Sequence, residues 1–349
     1  MAVKFAKQEL SLLAANAILP NDSVSNEQLL EALGQHVSSK YVRQAKVMLK
    51  RLGIEQRHLS RRLDARRSQA SPTGVDMAQQ LISEALAKAN LATSQLDYLV
   101  THTTTPHTQV PPNAAWLADT LNYHGPYMEL RQACCGFANA LQVASGLCAN
   151  GDQHIAIVGS ETGSVYFDID ESFIDRGQLV NYVQMGDGAG GVIVAPCNGE
   201  RAKISDIYLG QIGVGKSPGF YLDGGANSVG DGQMARFDHD FSAVRTHGPK
   251  LFEHGLAAIT ARGYCLDDFR YILPHQANGH IDSLLAKELG ISPSRIINHA
   301  KRFGNLGSAA IWVSFATALA ELPLEAGDKV LILGAEATKY LYGGFVYTH

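Results

Sequence analysis

Cysteine is scarce: five in 349 residues, an odd number, with no Cys-x-x-Cys pair among them. That argues against a disulfide framework and a structural zinc site, so no metal is expected and a reducing compartment fits best. Long apolar runs are missing too. None reaches the length needed to cross a bilayer. The start, Met1-Ala2-Val3-Lys4-Phe5-Ala6-Lys7, lacks a long apolar core and a clear cleavage site. The expected setting is cytoplasmic, with no membrane partner. Excess positive charge is also absent. The net charge is −4 with the 13 histidines neutral, which argues against bulk affinity for nucleic acid. What is present is a chain that is 46% hydrophobic, long enough for one large or two packed domains.

Apolar spacing predicts helices over 26–36 and 40–52. Residues 40–67 carry ten basic side chains against Glu55 and Asp64 alone, a local positive field suited to a phosphate-bearing ligand or an acidic carrier protein. Asp76 is placed as the cap of a helix running through Ala89. Leu96–Val100 reads as a buried strand, followed by a polar loop at Thr101–Pro112.

The sequence then repeats itself. Leu96-Asp97-Tyr98-Leu99-Val100-Thr101-His102 resembles Phe269-Arg270-Tyr271-Ile272-Leu273-Pro274-His275, an offset of 173. The stretch Gly151–Thr162 resembles Gly327–Thr338, an offset of 176 to 175. Two matches at nearly one offset argue for a duplicated α/β unit with its halves at 1–197 and 198–349. Continuous apolar strands at Ile155–Val158 and Val330–Leu333 predict sheets covered on both faces.

Between these repeats lies Glu129-Leu130-Arg131-Gln132-Ala133-Cys134-Cys135-Gly136-Phe137 and a helical apolar run. This places a thiol at the turn into a buried helix, where unpaired N–H groups would lower its pKa and make it nucleophilic. On the duplicated offset Cys134 falls opposite residue 308, so a pseudo-twofold arrangement brings His275 and Asn305 of the second half toward Cys134.

The motifs Ala133-Cys134-Cys135-Gly136-Phe137, Pro274-His275-Gln276-Ala277-Asn278 and Gly304-Asn305 resemble the Cys–His–Asn site of ketoacyl synthase III enzymes. Gly53-Ile54-Glu55-Gln56-Arg57-His58 and Gly186-Asp187-Gly188-Ala189-Gly190 extend the resemblance over most of the chain, the glycine run reading as a tight turn with close packing. The resemblance implies a thiolase fold: a duplicated, five-layered α-β-α-β-α architecture with pseudo-twofold symmetry. It implies Cys134 as nucleophile, His275 and Asn305 as donors to an enolate oxygen, and Cys135 as a packing residue. It places Val110, Phe137, Glu336 and Ala337 at the substrate pocket and Arg51 at the carrier or coenzyme A phosphates; the basic stretch 40–67, with Arg57, Arg61 and Arg62, and the Arg245–Lys250 region are the candidate carrier contacts. No cofactor is implied beyond a covalent acyl-cysteine, the acyl group arriving on acyl carrier protein phosphopantetheine or coenzyme A. A homodimer is implied.

Three departures qualify the resemblance. Val47 stands where coenzyme A users stack adenine on tryptophan, and Ser160–Ser164 supplies no arginine, which makes a carrier-bound donor the better fit. Glu336-Ala337-Thr338 replaces a glycine triplet, with Glu336 read as a buried structural carboxylate like its repeat partner Glu161, or else an added acid or base. Val110 stands where a larger residue reaches the partner subunit's acyl pocket. The expected activity is decarboxylative Claisen condensation of an acyl-Cys134 with a malonyl thioester, in a specialised fatty acid or secondary-metabolite pathway. Acyl transfer to an oxygen, nitrogen or other carbon nucleophile is the alternative, and a non-catalytic partner subunit the rival from another class. Val110→Phe is expected to shorten the longest acyl chain accepted, read as a chain-length profile of acylation; an unchanged profile would place Val110 away from the acyl group.

Overall fold

The computed structural model describes residues 3–199, 202–226 and 234–349; Met1 and Ala2 of the N-terminal segment discussed above lie outside them. In the first half come β1 (Lys4–Phe5), β2 (Leu10–Ile18), β3 (Val24–Ser25), α1 (Asn26–Gly34), α2 (Ser39–Leu52) and β4 (Gln56–Arg57). Then follow α3 (Gly74–Ala89), β5 (Tyr98–His102), α4 (Asn113–Thr120), β6 (Tyr127–Leu130), α5 (Gly136–Ala149), β7 (Ile155–Glu161), α6 (Arg176–Gln184) and β8 (Gly188–Pro196). The second half holds β9 (Lys203–Gln211), β10 (Phe220–Leu222), β11 (Phe237–His239), α7 (Phe241–Thr260), β12 (Tyr271–Pro274) and α8 (Ile281–Leu289). It ends with α9 (Ala300–Phe303), α10 (Ala310–Glu321), β13 (Lys329–Glu336) and β14 (Leu341–Thr348).

The strands run in the order β12-β13-β14-β9-β2-β8-β7-β5-β6. The two sequence repeats fall on β5 and β12 and on β7 and β13, and their pairings match. β5 is parallel to β7, which is antiparallel to β8, itself antiparallel to β2. β12 is parallel to β13, which is antiparallel to β14, itself antiparallel to β9. The two sets join where Leu10 and Ser11 of β2 meet Ile204 and Lys203 of β9.

Helices α5 and α10 lie between the two sets, α5 touching β7 and β9, and α10 touching β2, β8 and β12. On the outer faces α3 packs on β2, β7 and β8, and α7 packs on β13 and β14. This accounts for the all-apolar strands: β7 and most of β13 are buried along their length. The middle layer is closed by aromatics. Phe137 of α5 packs edge-on at 5.9 Å from Trp312 and 6.0 Å from Phe345. Phe137 is therefore a core residue and not a wall of the substrate pocket, because it lies on the helix face turned to α10 and β14.

Local expectations need two adjustments. Thr73 caps α3, and Asp76 completes a capping box: Asp76 N donates to Thr73 Oγ1 at 3.2 Å, and Thr73 N donates to Asp76 Oδ2 at 2.8 Å. Gly188–Gly191 open strand β8 and do not form a turn. Their packing is as close as expected: a Cβ on Gly190 would come within 2.5 Å of Val313 N on α10.

The basic stretch is more neutral in space than in sequence. Arg57 is fully buried, donating to Asn26 Oδ1 at 2.7 Å and Val183 O at 3.0 Å. Arg61, also buried, donates to the carbonyls of Ser164, Phe167, Ala65 and Arg66. Neither can touch a carrier or a coenzyme A phosphate, since both guanidinium groups serve as hydrogen-bonding plugs inside the fold. Arg66 and Arg67 are paired with Asp168, and the exposed Arg62 with Asp64 at 2.6 Å. Free positive charge remains on exposed Lys46, Lys50 and Arg51 of α2. Arg57→Ala and Arg61→Ala are each expected to cost about 2 kcal/mol of stability, because buried carbonyl or amide oxygens lose a charged donor. Arg62→Ala should leave the urea midpoint unchanged; equal midpoints for all three variants would contradict the plug role.

Candidate active site

The turn Ala133–Cys135 leads from β6 into α5 and is closed by Gly136 N donating to Ala133 O at 2.9 Å. Cys135 is the N-cap residue and is fully buried, as its packing role requires. Cys134 stands one residue earlier and is half-buried. Glycine at 136 is needed because a side chain there would collide with the buried ring of His102.

The second half supplies its own turn at the corresponding place. Gly304 and Gly307 adopt φ of 72° and 50°, and Asn305 between them does not need the left-handed region. A Cβ on Gly307 would lie 2.5 Å from Glu161 Oε2. Asn305 is held through its backbone, its N donating to Gln184 O at 2.9 Å and its O accepting from Gly186 N at 3.1 Å. Its Oδ1 accepts from Gly307 N at 3.1 Å. That bond fixes the amide orientation and leaves Nδ2 as a donor with no partner among the described residues.

Two carboxylates cross between the halves. Glu161, at the end of β7, accepts from Ser308 N at 2.9 Å and Ser308 Oγ at 2.8 Å, and from the hydroxyls of Thr104 and Thr105. Glu336, at the end of β13, accepts from Cys135 N at 2.8 Å and from the Thr338 hydroxyl. Each carboxylate thus caps the turn of the opposite half, which fits the structural reading of Glu336.

These carboxylates reverse one sequence expectation. The Cys134 thiol is not lowered by its helix; burial, then Glu336, then Glu161 push it well above the ordinary thiol value. Burial also raises Glu336. His275, at the end of β12, is held by its backbone N donating to Leu333 O at 2.8 Å. Burial lowers its imidazole to about 4, so it is neutral at pH 7. Its Nδ1 has no partner among the described residues.

Cys134, His275 and Asn305 line one cavity of about 170 Å³, together with Ala337. Most of its remaining wall is apolar, including Phe220, Phe237, Val244 and Leu251. A neighbouring cavity of about 330 Å³ shares Thr104, Ala133, Phe220, Phe237 and Thr338 with the first and contains Glu336. Val110 lines neither and is 84% exposed. Arg51 and Arg62 lie on the surface away from both. Sequence reasoning missed Asn181, Gln184 and Met185 from α6 and its end, and the Phe220, Phe237 and His239 wall of the β10–β11 hairpin. No motif marks them, because the hairpin and α6 fall outside both repeats.

A duplicated α/β fold with a thiol, an imidazole and an amide in one cavity defines the class of thiolase-fold condensing enzymes. Residues 128–213 match the family 3-oxoacyl-[acyl-carrier-protein (ACP)] synthase III, and residues 259–347 match that family's C-terminal region. The beta-ketoacyl-[acyl-carrier-protein] synthase III of Rhodobacter capsulatus is 30% identical over 290 residues, 80% of this chain and 83% of that protein. That of Mesorhizobium japonicum (strain LMG 29417 / CECT 9101 / MAFF 303099) is 28% identical over 86% of this chain and 88% of its own. The solved structure of AbyA1, a tetronic acid condensing enzyme, superposes with a TM-score of 0.84 at 26% identity, covering 97% of this chain and all of that one. The chain belongs to the 3-oxoacyl-ACP synthase III family and is an acyl-transferring enzyme of the condensing type.

Removing the negative charge of Glu336 is expected to ease ionisation of the thiol beside it. Glu336→Gln should move the pH midpoint of Cys134 alkylation by iodoacetamide downward; a midpoint that stays or rises would show that the carboxylate does not govern the thiol.

Proposed function

We propose that this chain condenses an acyl group carried on Cys134 with a malonyl thioester on acyl carrier protein. The observation that carries the reading is the shared cavity of Cys134, His275 and Asn305, lined by a neutral imidazole and by an amide whose Nδ2 has no partner among the described residues. In the first half-reaction the Cys134 sulfur attacks the donor thioester. The new C–S bond forms, the old one breaks, and the Cys134 proton leaves on the departing thiol.

In the second half-reaction the malonyl carboxylate leaves as CO2 and its electron pair becomes an enolate. His275, in its Nε2–H tautomer, and Asn305 Nδ2 donate to the enolate oxygen. Both are neutral donors fixed beforehand, which is the arrangement that stabilises developing charge at little reorganisation cost. The enolate carbon attacks the acyl carbonyl, whose oxyanion is held by backbone N–H groups including that of Cys134. The C–S bond breaks and the Cys134 thiolate is reprotonated, favoured by the raised thiol pKa.

The donor is assigned to a carrier protein. Val47 on α2 offers no aromatic platform for adenine. Lys46, Lys50 and Arg51 give that helix an exposed positive face suited to an acidic carrier. The active form is assigned as a homodimer in the cytoplasm, serving a specialised fatty acid or secondary-metabolite pathway. Transfer of the acyl group to an oxygen, nitrogen or other carbon nucleophile is the second reading, since the chain is also similar to a condensing enzyme named for tetronic acid rather than for a beta-ketoacyl carrier product.

Intact mass after mixing with acyl-coenzyme A and acyl-carrier thioesters is expected to show an adduct that Cys134→Ser lacks. Malonyl carrier should clear it with release of CO2. Asn305→Ala should still acylate but clear the adduct about 10²–10³ more slowly. Clearance without CO2 would favour the second reading, and no adduct from any donor would remove the condensation reading.

A further inference from the structure

The cavity holds a second histidine that the condensation does not use. His239 ends β11, antiparallel to β10 with Phe220 opposite it. Its ring is fixed between two aromatic rings, Phe220 at 4.5 Å and Phe241 at 4.7 Å between centroids, the latter stacked within 19°.

Its tautomer is fixed as well. Asn181 Nδ2 donates to Phe237 O at 3.2 Å, which turns Asn181 Oδ1 toward His239. Nδ1 of His239 lies 2.9 Å from that oxygen, so Nδ1 carries the proton and donates. Gln178 Nε2 also donates to Phe237 O and holds the strand end in place. Nε2 of His239 is left with a lone pair and no protein partner among the described residues, and it is not sealed from solvent as Nδ1 of His275 is. Burial holds the ring near a pKa of about 4, so it does not charge and become a donor at neutral pH.

His239 and Asn181 line the same cavity as Cys134, His275 and Asn305. His275 and Asn305 are proposed to present donors there. His239 presents an acceptor in a lining that, beside Asn181, Gln184 and a few other polar residues, is largely apolar and includes Phe220, Phe237 and Val244. A rigid acceptor on an apolar wall discriminates, because an occupant that displaces its water and offers no donor leaves it unpaired.

We propose that His239 Nε2 is a specificity determinant that accepts a hydrogen bond from an O–H or N–H group of the thioester substrate. This rests on the condensation reading for the identity of the occupant. The donor can come from a hydroxyl on the acyl chain or from an amide N–H of the pantetheine arm, the two sources of that chemistry in an acyl-carrier thioester.

The test uses non-transferable thioethers, so that it stands whether or not Cys134 acylates. Dissociation constants are measured by calorimetry for two pairs. One pair compares S-(3-hydroxybutyl)pantetheine with S-butylpantetheine. The other compares S-butylpantetheine with analogues in which one or the other pantetheine amide N–H is replaced by an ester oxygen. The unaltered protein is expected to favour the donor-bearing member of at least one pair by about three- to tenfold. Preference in the first pair assigns the acyl hydroxyl; preference in the second assigns the arm. His239→Leu should bring that ratio close to one. His239→Gln, whose side-chain oxygen can accept, should retain part of it, which a merely structural role would not do. Absence of preference in both pairs, a ratio unchanged in His239→Leu, or failure of all the thioethers to bind overturns the proposal. Failure of acylation with the preference intact counts against the condensation alone.

Discussion

The site depends on a crossed pair of carboxylate caps. Glu161 ends a strand of the first half and holds the turn at Ser308 in the second. Glu336 ends the equivalent strand of the second half and holds the turn at Cys135 in the first. Hydrogen bonds from N–H to an ionised carboxylate are stronger than neutral ones and favour the start of a helix. Neither half can therefore set its own turn. Cys134 and Asn305 reach one cavity because each turn is pinned by the opposite sheet. The duplication serves this arrangement, since equivalent strands end at equivalent depths on the two sides of α5 and α10.

The same burial sets the electrostatics. Removing water raises the Cys134 thiol and lowers the His275 imidazole, because each loses solvation of its charged form. The carboxylates that hold the turns add to the first effect. The chamber at neutral pH thus offers a protonated thiol, a neutral imidazole, an amide and the His239 acceptor. This suits chemistry in which charge develops on substrate oxygen and is met by fixed dipoles. It does not suit a resident thiolate, so the thiol has to lose its proton as it reacts.

Charge on the surface is organised by pairing. Of the basic residues in 40–67, the buried arginines hold loops to the body of the fold, and Asp64, Asp168 and Asp170 neutralise three others. The remaining positive face belongs to α2, an amphipathic helix with Ala45 and Leu49 turned inward.

Much of the fold was legible in the sequence because its signals are local. Apolar periodicity marked α1, α2 and the β7 and β13 strands, and two repeats at one offset marked the duplicated sheet. The motifs around Cys134, His275 and Asn305 marked three residues of the cavity, since each needs its own glycine or proline neighbours to shape a turn. The rest was decided in three dimensions. Arginine reads as surface charge in any sequence, and only packing shows Arg57 and Arg61 buried, with their donors on backbone carbonyls and, for Arg57, the Asn26 amide. Phe137 sits beside the cysteine turn, yet the helix phase sends it to the core. The thiol's pKa follows from burial and two carboxylates, one 27 and one 202 residues away, which no local pattern around Cys134 encodes. His239 carries no motif, and its fixed tautomer depends on Asn181 from another element. Backbone conformation is a short-range property and is written in the chain; solvation and charge proximity are long-range properties, and only the folded arrangement determines them.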